Sequence, residues 1–238
     1  MRAQESLNFE GRVAIVTGAS TGIGRATAEM LVDRGARVTI FARSAEALHA
    51  VVAKNGDMLA VDGDVSDPAA IERLFAETES RFGECDVLVN CAGMIDPVLL
   101  VDVTPEQWDR MFSVNVRGTY LATRRALPSM IARRAGAIVN VASISGVIGP
   151  QKFPGYVSYA ASKAAVIAMA EVLAVEVRQY GIRVNSVSPG SVDTKMWAEA
   201  SGGAPASMTP EEVAEVICFL ASDRARALNG QDVHVYSS

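Results

Sequence analysis

The chain contains few of the residues that mark disulfide-bonded, metal-binding or nucleic-acid-binding proteins. It has three cysteines (Cys85, Cys91 and Cys218), an odd number without CxxC or zinc-ligand spacing, and only two histidines, His49 and His234. This set favours a reduced, cytoplasmic protein without disulfides and without a bound metal. Acidic residues outnumber basic ones and give a net charge of −5, so no basic excess exists to neutralise phosphates. We therefore expect no nucleic-acid partner.

Long hydrophobic runs are also absent from the sequence. No run approaches the roughly 18 apolar residues that a membrane-spanning helix needs, and residues 1–12 are too polar to form a secretory signal. The longest apolar runs, such as residues 13–16 and 87–89, have the length of strands. We therefore expect no membrane partner. With 238 residues, half of them hydrophobic, the chain fits one large domain over residues 1–238.

Strand-like runs alternate with helical periodicity along almost the whole chain. The predicted strands are residues 13–17, 37–42, 58–62, 86–90, 137–142, 183–187 and 232–236. The predicted helices are a segment that starts around Ile23 and stops at Gly35, then residues 45–54, 67–82, 104 to about 134 (kinked or straight), 157–180 and 209–222. This alternation predicts an α/β fold: a single doubly wound parallel sheet (Rossmann-like) with helices on both faces and a ligand crevice at the carboxyl ends of the strands.

Within this domain we expect a core over about residues 9–195, followed by a short substrate loop over residues 195–208. The loop is rich in small residues between positions 198 and 207, which is typical of a mobile segment. A C-terminal helix and strand are expected over residues 209–238. Thr209 and Glu212 have the capping-box spacing that marks the start of this helix.

A glycine-rich turn follows the first strand. Residues 17–24 read TGASTGIG and lead directly into a helix. Glycines at such a strand–turn–helix junction let the backbone approach a pyrophosphate, and the helix N-terminus offers free N–H groups to the anion. The turn therefore predicts a dinucleotide site, with a tight structural turn as the alternative interpretation.

The end of the second strand bears on which dinucleotide binds. NAD sites tend to place a carboxylate there for the ribose 2′-hydroxyl, whereas NADP sites supply an arginine for the 2′-phosphate. Here Ala42 is followed by Arg43 and Ser44, with no acid. We therefore expect NADP(H) to be favoured over NAD(H); the alternative is that Arg43 is a surface residue on a solvated turn.

With the turn at 17–24 joined to the sequence YAASK at residues 159–163, the chain resembles the short-chain dehydrogenase/reductase family, most clearly over residues 9–195. The turn matches TGxxxGxG and the second motif matches YxxxK. The resemblance implies a catalytic tetrad of Asn115, Ser143, Tyr159 and Lys163. It also implies that the cofactor is bound by Gly18, Ser20, Thr21, Gly22, Ile23, Gly24, Arg43, Asp64, Val65, Asn90, Ala92, Gly93, Tyr159, Lys163, Pro189, Gly190, Val192 and Thr194.

Each of these residues has a simpler interpretation. Asn115 alone could be a buried polar residue that bends a helix, and Ser145 competes with Ser143, although Gly146 follows Ser143 at the family's spacing. Cys91 replaces the second asparagine of the family's NNAG strand end. Tyr156 lies near the site too, but only Tyr159 has a lysine four residues later.

The chemistry expected of this set is hydride transfer coupled to proton transfer. Residues four apart share one face of a helix, so Tyr159 and Lys163 should project side by side. An ammonium beside the phenol, together with the positive charge of an oxidised nicotinamide, should lower its pKa from near 10 and make Tyr159 an acid–base group near neutral pH. Ser143 would hydrogen-bond the substrate oxygen as negative charge develops on it. These residues predict an NADP(H)-dependent oxidoreductase that interconverts a ketone or other carbonyl compound and a secondary alcohol.

Other functions remain open from the sequence. The alternatives are an NAD(H)-dependent alcohol dehydrogenase of the same family, an epimerase or lyase that keeps a bound nucleotide, and a redox-sensing binding module. The loop between Ser143 and Tyr159 looks longer than is common in the family, and the region after Thr194 looks shorter. By resemblance we expect a homo-oligomer, with a tetramer favoured and a dimer as the alternative.

Overall fold

In the computed structural model, the described residues are 7–55, 58–150 and 152–236; the polar N-terminal residues 1–6 and the end of the chain at 237–238 lie outside them. Within the described residues, seven strands form one parallel sheet in the order β3-β2-β1-β4-β5-β6-β7. The strands are β1 (Val13–Thr17), β2 (Arg37–Ala42), β3 (Met58–Asp62), β4 (Val87–Asn90), β5 (Gly136–Val141), β6 (Ile182–Pro189) and β7 (Asp232–Val235).

Helices cover both faces of this sheet. They are α1 (Gly22–Asp33), α2 (Ala45–Val52), α3 (Pro68–Arg81), α4 (Pro105–Phe112), α5 (Gly118–Arg133), α6 (Val157–Val177), α7 (Lys195–Ala200) and α8 (Pro210–Ala221). Apolar residues of α1, α2 and α8 form one core cluster, and those of α3, α5 and α6 form the other. The predicted doubly wound fold is confirmed.

The continuous apolar runs of the strands follow from burial on both faces. In β1, Ala14 and Val16 pack into the cluster that contains α1, while Ile15 packs into the cluster that contains α3. Successive side chains of a strand point to opposite faces, so a strand covered on both sides has no position suited to a polar residue. The order of the strands reverses at β1, which pairs with β2 on one side and β4 on the other. The carboxyl ends of these strands therefore border a crevice.

Two segments differ from the predictions. The helix expected from residue 104 to about 134 is interrupted by a π-helical turn at Ser113–Arg117, which separates α4 from α5. The expected substrate loop at 195–208 instead begins with a helix, α7, which is capped by the side chain of Thr194. A backbone bridge between Val192 and Met208 closes this segment at its base. Among the described residues, no helix combines the length and the hydropathy needed to cross a bilayer.

Candidate active site

A cavity of about 580 Å³ opens at the carboxyl ends of the strands. This volume lies within the range of small-molecule and cofactor sites. The glycine turn and Arg43 line one end, and Ser143, Tyr159 and Lys163 line the other. The predicted site residues are thus brought together from segments far apart in the sequence, with the exceptions of Asn90 and Asn115, which do not line the cavity. No cluster of acidic, histidine and cysteine side chains suited to a metal occurs in the part of the chain that the structure describes.

The glycine turn is built for close approach of a ligand to the backbone. Gly18 and Gly22 have φ values of +68° and +56°, in the left-handed region. A Cβ atom at Gly18 would lie 2.7 Å from the backbone of Ala92, so only glycine fits between β1 and β4. At the start of α1, the side chain of Thr21 makes no capping hydrogen bond. The first N–H groups of α1 are therefore left for an anion, which is what a pyrophosphate group requires.

Two arginines lie at the end of the cavity that an adenosine would occupy. Arg43 follows β2, as expected from the sequence, and Arg110 reaches the same cavity from α4. Hydrogen bonds from the backbone and hydroxyl of Ser66 hold the pKa of Asp64 below its usual value, and the charges of Arg43 and Arg110 act in the same direction. The sequence did not indicate Arg110, because only the packing of α4 places this residue in the cavity.

The proposed acid–base pair is buried. Tyr159 and Lys163 are 8% and 5% exposed and lie one turn apart on α6. The amine nitrogen lies 5.8 Å from the centre of the phenol ring and donates a hydrogen bond of 2.8 Å to the carbonyl oxygen of Val141, at the end of β5. That bond ties the start of α6 to the strand that carries Ser143. The amine has three donors, so others remain for the cavity that Lys163 lines.

The pKa of Tyr159 differs from the sequence-based expectation. Burial raises the pKa of the phenol to about 12, and the hydrogen bond with Ser143 offsets only part of this shift. Burial also lowers the pKa of the Lys163 amine to about 8. The structure therefore lacks the lowered phenol pKa that the sequence predicts, because burial of the phenol has the larger effect. At neutral pH the phenol is protonated, which is the state of a proton donor.

The two neighbouring serines have different roles in the local structure. Ser143 follows β5 and its Oγ atom accepts a hydrogen bond of 3.1 Å from the backbone N–H of Ser145. Its hydroxyl acts on the phenol of Tyr159 and favours a lower pKa there, so the two hydroxyls lie close together. Both serines line the cavity. The contact with Tyr159 favours Ser143 over Ser145 as the group next to the reacting oxygen.

Asn115 connects backbone segments rather than facing the cavity. It lies in the π-helical turn, where its amide accepts a hydrogen bond from the N–H of Met94 and donates to the carbonyl of Met94 and to Ser162 of α6. The amide oxygen and the Lys163 amine both border Gly93, where an added Cβ atom would be 3.4 Å from the first and 3.3 Å from the second. Asn115 thus fixes the segment after β4 and connects it to α6.

Asn90 has a structural environment that the sequence did not indicate. Its side-chain nitrogen donates to Thr123 on α5 and to Asn140 on β5, at 3.1 and 2.9 Å. The side chain is buried between these elements and does not reach the cavity. The side chain of Asn90 therefore supports the end of β4, and its role in cofactor binding stays a prediction. Cys91, next to it, has its thiol pKa raised to about 12 by burial and stays protonated, so it is unsuited to act as a nucleophile.

The lowered pKa of Lys163 has a measurable consequence for stability. An unfolded lysine titrates near 10.4, so below pH 8 the folded chain bears the full cost of burying an ammonium, and this cost disappears as pH rises from about 8 to about 10. Lys163→Met removes that titration. We expect the melting temperature of the variant, minus that of the wild type, to fall as pH increases from 7 to 10.

Differential scanning fluorimetry across this pH range measures the difference. Lys195→Met is a matched control, because Lys195 lines the same cavity but its side chain is 80% exposed. A difference between the Lys163 variant and the wild type that does not change with pH would show that Lys163 is not buried as described.

Comparisons with known proteins agree over nearly the whole chain. A family model described as short chain dehydrogenase matches residues 12–204. The 3-oxoacyl-(acyl-carrier-protein) reductase FabG of Escherichia coli (strain K12) is 37% identical over 242 residues, which cover 96% of this chain and 97% of that protein. A solved structure described as ribose-5-phosphate isomerase from Brucella melitensis 16M has a TM-score of 0.89 at 36% identity and covers 97% of this chain and 93% of that chain. Levodione reductase has a TM-score of 0.88 at 29% identity, with 96% and 97% covered.

Proposed function

The chain belongs to the short-chain dehydrogenase/reductase family, and on this premise we propose that it is an NADP(H)-dependent carbonyl reductase that interconverts a ketone and a secondary alcohol. One observation carries the proposal: Ser143, Tyr159 and Lys163 line one end of the same cavity whose other end is the glycine turn before α1. A proton donor therefore lies within reach of a dinucleotide whose phosphates are held at the turn. The relative from Escherichia coli, a reductase of 3-oxoacyl groups, makes 3-oxoacyl thioesters one subclass of substrate to test.

The chain's own residues fit the cofactor. The glycines leave room for the pyrophosphate, which the first N–H groups of α1 would bind. Arg43 and Arg110 would hold the 2′-phosphate, and Pro189, Gly190 and Thr194 would border the nicotinamide. When bound, the nicotinamide supplies the hydride for reduction of the carbonyl carbon, so the protein has only to position the substrate and move a proton.

Ser143 and Tyr159 perform the polar part of the reaction. The hydroxyl of Ser143 hydrogen-bonds the substrate oxygen and stabilises the negative charge that develops there. Tyr159 donates its phenolic proton to the same oxygen. Its raised pKa keeps this proton in place at neutral pH, which is the protonation state that reduction requires of the donor.

Lys163 and Asn115 assist Ser143 and Tyr159 indirectly. The amine of Lys163 is anchored to Val141 and supplies positive charge as the phenol loses its proton. Asn115 is a positioning residue: it fixes the backbone at Met94 and, like the amine, borders Gly93. Lys163 and Asn115 both stabilise the arrangement of Ser143 and Tyr159, although Asn115 does not line the cavity.

Cofactor preference can be tested by thermal protection. We expect NADP⁺ to raise the melting temperature of the wild type more than NAD⁺ at equal concentration, because two guanidiniums line this end of the cavity and the carboxylate beside them, that of Asp64, is already bonded to Ser66. Arg43→Ala should weaken NADP⁺ binding by about 10- to 100-fold, the loss expected for hydrogen bonds to a charged group. Isothermal titration calorimetry gives the affinities.

The comparison of NADP⁺ with NAD⁺ provides the control for this prediction. Arg43→Ala and Arg110→Ala should change NAD⁺ affinity little, since NAD⁺ has a hydroxyl where NADP⁺ has a phosphate. Equal protection of the wild type by both cofactors, or better protection by NAD⁺, would exclude the NADP(H) assignment and favour an NAD(H)-dependent dehydrogenase.

A non-redox isomerase is a second candidate because of the neighbour described as ribose-5-phosphate isomerase. A sugar phosphate needs a fixed cation at the substrate end of the cavity. Apart from Lys163, the charged residue that lines this end is Lys195, whose side chain is exposed and paired with Glu199 at 3.7 Å. This arrangement favours the reductase. Turnover of ribose 5-phosphate without a change in nicotinamide absorbance would reverse that choice.

For the assembly we propose a cytoplasmic homotetramer, with a dimer as the alternative. Support comes from exposed apolar side chains on adjacent helices, namely Tyr120 on α5 and Val172 and Val175 on α6. A second copy of the chain would cover them, as oligomer interfaces commonly do. Light scattering in solution distinguishes the masses, and a monomer would exclude both forms.

A further inference from the structure

Three aromatic rings lead from the surface to the reactive end of the cavity. The ring centres of Phe153 and Tyr156 are 5.8 Å apart, and those of Tyr156 and Tyr159 are 6.1 Å apart with the rings nearly perpendicular. All three side chains line the cavity. Phe153 is 45% exposed whereas Tyr159 is buried. We call Phe153, Tyr156 and Tyr159 the aromatic series; it connects solvent to the proton donor.

Helix α7 also lines the cavity. Met196, Trp197 and Ala200 of this helix line the cavity. The indole nitrogen of Trp197 donates a hydrogen bond of 2.9 Å to the carbonyl of Ala204, and the hydroxyl of Tyr156 donates one of 3.3 Å to the carbonyl of Ala200. The polar atoms of both side chains are therefore occupied by backbone. What these residues offer to a ligand is the apolar surface of their rings.

The same end of the cavity offers little to a charged substrate. Met94, Ile95 and Ile144 add further apolar surface there. Lys195 is bound to Glu199 within α7, and the arginines of the cavity lie at the adenosine end. Lys163, the other cation at this end, is buried and already donates to Val141. A phosphate or carboxylate away from the reacting carbonyl would therefore lose water without gaining a second fixed cation, which disfavours such ligands.

We propose that the substrate is an uncharged ketone that carries a flat aromatic group, and that Tyr156 is the residue that determines this specificity. The inference rests on the proposed reductase function and adds the class of substrate. The aryl group lies between the aromatic series and Trp197, and the carbonyl oxygen lies at Ser143 and Tyr159. Perpendicular and offset contacts between aromatic rings favour an aryl group over a saturated ring of the same volume.

The experiment compares acetophenone with cyclohexyl methyl ketone, which differ in aromaticity and little in size. We expect the wild type to have a kcat/KM about tenfold higher for acetophenone, the upper part of the range for one or two aromatic contacts. Tyr156→Phe keeps the ring and should keep the preference. Tyr156→Leu removes the ring and should bring the ratio of the two kcat/KM values to about one. Equal kcat/KM values in the wild type, or a preference that survives Tyr156→Leu, would overturn the inference.

A binding measurement separates this inference from the reductase assignment. The chain has two tryptophans, and Trp108 stacks on Phe112 in α4. In a Trp108→Phe background, acetophenone should quench the fluorescence of Trp197, and Tyr156→Leu should weaken this binding. Quenching that depends on Tyr156 without reduction of any ketone would support aryl binding and contradict the reductase. Reduction of aliphatic ketones with no preference for aryl ketones would support the proposed reductase function and contradict the role of Tyr156.

Discussion

Tyr159→Phe is expected to lower kcat for ketone reduction by about 10²- to 10⁴-fold, the usual contribution of a positioned general acid. The substitution removes one oxygen from a buried ring and leaves its packing intact. The phenol is the proposed proton donor and lines the reactive end of the cavity together with Ser143. Without it, the developing alkoxide has to take its proton from water, which the buried site admits poorly. Steady-state kinetics with NADPH and a ketone measure the change.

Tyr156→Phe is the matched control for this prediction. It removes the same atom from a neighbouring ring in the same cavity, but that hydroxyl is bonded to the backbone of Ala200. Its kcat should stay within a few fold of the wild type. NADP⁺ affinity should be almost unchanged in both variants, because neither phenol lies near the glycine turn. Wild-type turnover by Tyr159→Phe would mean that another group donates the proton.

Gly24→Ala is expected to weaken cofactor binding and to destabilise the fold. A Cβ atom at Gly24 would overlap the carbonyl oxygen of Gly18 and would lie 3.1 Å from the Cα atom of Ala19. These atoms belong to the backbone of the glycine turn, so no side-chain rotation relieves the overlap. Overpacking of this kind costs about 1–3 kcal/mol or more, which corresponds to several degrees of melting temperature in a chain of this size.

The loss of NADP⁺ affinity should be a larger effect than the loss of stability. The turn has to shift away from the start of α1, and the N–H groups that would hold the pyrophosphate shift with it. We expect NADP⁺ affinity, measured by calorimetry below the melting temperature, to fall by more than about tenfold. Gly83→Ala is the control: Gly83 has a φ of +102° with no atom near its Cβ position, and it does not line the cavity. This variant should lose some stability through backbone strain and keep its NADP⁺ affinity.

The fold was predictable from the sequence because each of its signals is local. Ala14, Ile15 and Val16 form a short apolar run since both faces of the sheet are covered, and Gly18 and Gly24 mark the turn that follows. Such runs, turns and capping residues can be recognised without knowing which segments meet.

Features that depend on tertiary packing were not predictable in the same way. Arg110 lies 46 positions after Asp64 in the sequence, and only the position of α4 brings it to the cavity. The raised pKa of Tyr159 depends on how deeply α6 is buried, whereas its spacing from Lys163 suggested the opposite shift. The small residues after α7 predict a loop for this segment, although Thr194 marks the start of a helix.

The central claim is that hydride transfer to a ketone is coupled to the proton of Tyr159, and isotope transfer tests it most directly. NADPH with deuterium at the transferable position is incubated with acetophenone, cyclohexyl methyl ketone and a 3-oxoacyl thioester, and the products are examined by mass spectrometry. The wild type should place deuterium on the alcohol carbon of at least one product, and Tyr159→Phe should do so at least about 100-fold more slowly. If no ketone acquires the label while calorimetry shows NADPH bound, or if Tyr159→Phe transfers it at the wild-type rate, the claim is wrong.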